Sequence, residues 1–79
     1  MIKLKNIKSN NSIIECDIYP EDSKQLGHMS IDTNTKELID YKLPDGYEWC
    51  KSHVHHARNK LVEFIETDEI PKEKLIMWY

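Results

Sequence analysis

Ile13-Ile14-Glu15-Cys16-Asp17-Ile18-Tyr19 alternates apolar and acidic side chains from Ile14 to Ile18. Successive side chains of a strand point to opposite faces, so Ile14, Cys16 and Ile18 share one face while Glu15 and Asp17 share the other. This is a strand with one dry face and one wet face. A sheet built from such strands buries its dry face only under a second layer, and the rest of the chain supplies both.

Upstream, Ile2, Leu4 and Asn6 alternate with Lys3 and Lys5, which predicts a strand over about 2–7. Ser9-Asn10-Asn11-Ser12 reads as the turn between the two strands, because Asn tolerates positive φ and its side chain can mimic a backbone turn. The second strand covers about 13–19 and ends at Pro20-Glu21-Asp22-Ser23, where proline cannot donate to a ladder and the acids prefer water. Met29 and Ile31 face one way in a third strand over about 27–32. Thr33-Asn34-Thr35-Lys36 then turns the chain into a fourth, about 37–42, with Ile39 and Tyr41 on a common face. Four short strands joined by local turns describe an antiparallel meander.

Leu43-Pro44-Asp45-Gly46 ends that pattern, and the period changes after it. With Ser52 as N-cap, Val54, Ala57, Leu61, Phe64 and Ile65 fall on one stripe of a helix over about 52–66. Glu63 and Glu66 sit near the negative end of its dipole, so packing rather than propensity must hold it. Val54, Ala57, Leu61 and Ile65 are expected to dock on Ile14, Ile18, Met29, Ile31 and Ile39. The apolar segment at about 74–79, which includes Leu75-Ile76-Met77-Trp78-Tyr79, is expected to add a strand or lie across the core. The expected fold is a single α+β domain over 1–79: a curled antiparallel sheet of four to five strands with one helix on its apolar face, in two layers.

Composition excludes several functions. A hydrophobic fraction of 39% with 32% charged residues suits a soluble globular domain with a small core. No apolar run approaches the roughly 18 residues of a membrane span, and Met1-Ile2-Lys3-Leu4-Lys5 lacks the continuous apolar block of an export signal. A cytoplasmic location with no membrane partner is therefore expected, and Cys16 and Cys50 read as two thiols rather than a disulfide. The abundance of Ile, Lys and Asn is what an AT-rich genome encodes, pointing to a low-GC bacterium or its phage. A net charge of -3 argues against general nucleic-acid binding, whose affinity comes from basic side chains on phosphates.

Chemistry-bearing residues concentrate in Trp49-Cys50-Lys51-Ser52-His53-Val54-His55-His56-Ala57. Thiolate and imidazole suit zinc or nickel, and on a helix His53 and His56 share a flank while His55 projects about 160° from His53. Cys50, His53 and His56 are thus the candidate metal ligands, with a fourth needed from His28 or an acid on the sheet. A nucleophilic Cys50 with His53 as base would need a thiol pKa lowered by the helix N-terminus and Lys51. Neither a Gly-rich oxyanion loop nor the chain length to enclose a substrate accompanies it, so no enzyme and no cofactor are expected. Tyr47 and Trp49 in the loop before the helix, with Trp78 and Tyr79 at the end, form candidate interaction residues, aromatics being frequent interface anchors. Asp45 and Glu48 stand where a base-stacking platform would need a basic groove. The function expected from the sequence is a small non-catalytic module, regulatory or accessory, that binds a protein partner or itself. A metal-binding domain centred on His53 and His56 is the alternative.

Overall fold

The computed structural model describes residues 1–10 and 12–77. Five strands, β1 (Ile2–Ser9), β2 (Ile13–Pro20), β3 (Gly27–Asp32), β4 (Leu38–Lys42) and β5 (Lys74–Ile76), form one open antiparallel sheet in the order β4-β3-β2-β1-β5. Among the described residues one helix, α1 (Lys51–Thr67), forms the second layer. This is the predicted α+β architecture. The helix is one residue longer at each end than predicted. Of the apolar C-terminal segment, 74–76 pairs with β1, whereas Trp78 and Tyr79 lie outside the described residues.

The core follows the alternation of β2. Ile14, Cys16 and Ile18 are buried, and their cross-strand partners Ile31, Met29 and Gly27 continue the dry face. Burial, with Asp17 and Glu15 adding to it, pushes the Cys16 thiol up to about 12, so it is an inert core residue. Val54, Ala57, Leu61 and Phe64 close the cluster from the helix, and Ile65 packs at its rim.

Three expectations need correction. Asn6 does not continue the inward face of β1. The register shifts between Lys5 and Lys8, Asn6 adopts φ 53°, and Ile7 turns into the core instead. Asn is among the few residues that accept this left-handed conformation, and here its side chain also donates to Asp17 Oδ2 at 2.8 Å. Ile39 does not meet the helix. A second shift places Leu38 opposite Ile31, so Leu38 packs on the core and Ile39 is 51% exposed. Ser52 is not the cap. The cap lies two residues earlier, at Cys50, which makes no side-chain capping bond, and Ser52 is exposed inside the first turn.

The β3–β4 turn behaves as predicted. Asp32 Oδ1 accepts from the amides of Asn34 and Thr35 at 2.7 and 3.0 Å, bonds that hold its carboxyl below the usual range. Gly27 has a different constraint: a Cβ there would collide with the carbonyl oxygen of Lys42, so the start of β3 lies against the exit of β4. No described helix is long and apolar enough to cross a membrane.

Candidate interaction site

Two connections meet at one end of the sheet: the β2–β3 loop, 21–26, and the segment between β4 and α1, 43–50. The second is wound tightly. Tyr47 N donates to Pro44 O at 3.0 Å, Cys50 N to Tyr47 O at 2.9 Å and His53 N to Cys50 O at 3.1 Å, a run of turns that feeds directly into the helix. Gly46 takes φ +86° within it, a conformation suited to glycine. These bonds replace the missing side-chain cap and fix the direction in which each aromatic projects.

Tyr47 anchors the segment to the other loop. Its ring packs against the core and its hydroxyl donates to Asp22 Oδ1 at 2.8 Å, a bond that, with desolvation, pushes the phenol pKa up. Trp49 leans on this support. Its ring stacks on Tyr47 with centroids 6.3 Å apart, meets His53 edge-on at 5.7 Å, and donates from Nε1 to Gly46 O at 3.2 Å. Yet Trp49 is 66% exposed. The ring is therefore held on three sides and open on its remaining surface.

His53 completes the support from below. It is buried, and its Nε2 lies 2.6 Å from Glu21 Oε1. This bond first, and the amino group of Met1 at 3.1 Å second, hold the Glu21 carboxyl below the usual range. Cys50 is also buried, and its thiol is pushed up by burial and then by Glu21. That direction is opposite to the lowering a nucleophile would require.

The structure separates the three helix histidines: His53 is buried against Glu21, His56 half-buried and His55 exposed. Among the described residues no three His, Cys, Asp or Glu side chains come together in a way that could hold a metal ion. His28 lies on β3 directly opposite Asp17 of β2 on one side and Lys42 of β4 on the other.

Glu21 and Asp22 were legible only as a strand terminator in the sequence. They acquire their roles because the sheet brings the two loops together, and no local signal would have paired Glu21 with His53 across 32 positions. The two connections and the first helical residue carry four carboxylates, Glu21, Asp22, Asp45 and Glu48, against Lys24 and Lys51, with the Met1 amino group paired to Glu21. A cleft of about 230 Å3 between the same connections is lined by Leu26, Lys42, Pro44 and Asp45 among others, and Leu26 is exposed beside it. A larger open cleft of about 610 Å3 lies at the C-terminal end of α1, and its polar lining residues, such as Glu63, Glu69 and Lys74, are all exposed. Comparison with protein-family models, curated proteins and solved structures returns no significant match.

Proposed function

We propose that this chain is a small, non-catalytic protein-interaction module whose anchor is Trp49, and that the segment it engages is basic. The observation that carries the reading is an exposed indole held by neighbouring side chains and backbone. A large aromatic fixed before contact loses little conformational entropy on binding, and Trp is among the residues that dominate interface energetics. The acidic surroundings support the choice of partner chemistry: a Lys or Arg side chain can sit over the indole face while the carboxylates draw its segment in.

Fluorescence titration with a Lys- and Arg-rich peptide tests this, with a Glu-rich peptide of equal length as control. The basic peptide is expected to bind saturably and to weaken as salt rises. Trp49→Ala, followed by NMR shifts of the surrounding amides, is expected to reduce affinity by about tenfold or more, the usual scale for an interface anchor. Equal binding by Trp49→Ala and wild type, or equal binding of the two peptides, would refute the proposal.

A further inference from the structure

The sheet has two edges, and they differ. β5 is three residues long, while β4 presents five, of which Ile39, Asp40, Tyr41 and Lys42 are all exposed. An edge strand offers a row of unpaired backbone donors and acceptors to any chain that can lie beside it. The β4 edge is also presented stiffly: its hairpin is closed by the Asp32 turn, and Arg58 on the helix donates from Nε and Nη2 to Lys36 O at 3.1 and 2.9 Å.

Charged residues on an edge ordinarily discourage pairing. Here their order does the reverse for one partner. Asp40 and Lys42 lie on the same face, opposite Ser30 and His28, with Tyr41 between them on the face of Met29. In an antiparallel pair of identical strands centred on Tyr41, Asp40 of each copy stands opposite Lys42 of the other, twice. Opposite charges directly across a ladder stabilise it, and the two Tyr41 rings meet at the axis. Pairing centred on Asp40 would instead set carboxylate against carboxylate. β5 has no such complementarity, because centring on Leu75 places Lys74 against the apolar Ile76.

We propose that β4 is a self-pairing edge, through which two copies of this chain join their sheets antiparallel about a twofold axis at Tyr41, held in register by the Asp40–Lys42 pairs. The pairing uses β4 rather than the Trp49 ring, although Lys42 also lines the cleft beside the Trp49-bearing segment. An isologous contact is self-limiting: once the two β4 edges are paired, neither remains open. A short strand pair falls well below the roughly 800 Å2 per partner of a standard stable interface, so the dimer is a weak, concentration-dependent one.

Sedimentation velocity from about 10 µM to about 1 mM, the range in which weak association is visible, should show a mass rising from one chain to two. Asp40→Lys sets two lysines against each other at both rungs, and Lys42→Asp two carboxylates. Each is expected to weaken association by about tenfold or more. The double variant Asp40→Lys/Lys42→Asp restores complementarity and should return association to within about threefold of wild type. Mixing the two single variants should produce a heterodimer that neither forms alone. Circular dichroism checks that all variants fold, which their exposed positions favour. A chain monomeric throughout, or association untouched by the single reversals, would overturn the proposal. So would association lost on Trp49→Ala and retained on Asp40→Lys.

Discussion

The bond from His53 to Glu21 ties the first turn of the helix to the β2–β3 loop, and its pH dependence follows from the carboxyl. Glu21 in the folded chain titrates below its ordinary value of 4.5, so the unfolded state binds its proton more readily. The pair therefore contributes stability above pH 4.5 and loses it as pH falls through the lower folded value. Wild type should exceed Glu21→Gln in urea midpoint at neutral pH, and the gap should close in acid. A gap unchanged by pH would mean the pairing contributes nothing to folding. Gly27 makes a second residue-scale test. Because a Cβ there meets the Lys42 carbonyl, Gly27→Ala should destabilise by about 1–3 kcal/mol, the range for overpacking a site that cannot yield. Denaturant unfolding with an unchanged midpoint would show that the two strands can part without cost.

At the scale of the element, the helix has poor termini and a good stripe. Its first turn carries no acid and its last no base, and Asp68 closes it in the left-handed conformation at φ 57°. Burial must compensate. Leu61 is fully buried within the core cluster, so Leu61→Ala should cost about 2–4 kcal/mol. A loss below about 0.5 kcal/mol would place it on the surface. Ser52 provides the contrast. An N-cap serine changed to Ala costs about 1 kcal/mol, but Ser52 lies within the helix and makes no capping bond, so Ser52→Ala should leave the melting temperature nearly unchanged. A drop on the N-cap scale would move the helix start back to Ser52.

For the whole molecule, the decisive closure is β5 against β1. It pairs Ile76 with Ile2 and buries both, and it covers an edge that the four-stranded meander would leave open. Ile76→Ala should therefore lower stability by about 2 kcal/mol, read as a fall in melting temperature with the helical signal retained below the transition. An unchanged melting temperature would mean that β5 rests on the sheet without supporting it. The sequence by itself determined the first four strands, the helix and their layering, and left open whether the C-terminal segment would pair. Alternation through β2 and β3, the turn residues at 33–36 and the change of period after Leu43 are local signals, and short turns between the first four strands favour pairing of successive ones. The two bulges were hidden, because one inserted residue reverses which side chains face inward while leaving the composition unchanged; that is why Ile7 and Leu38, rather than Asn6 and Ile39, reached the core. Within the candidate site, Tyr47, Trp49 and His53 were visible as residue types. Which of them is buried, and on what, was decided only when the sheet brought Glu21 and Asp22 beside the helix start, since burial is set by neighbours distant along the chain and periodicity reports only neighbours that are close.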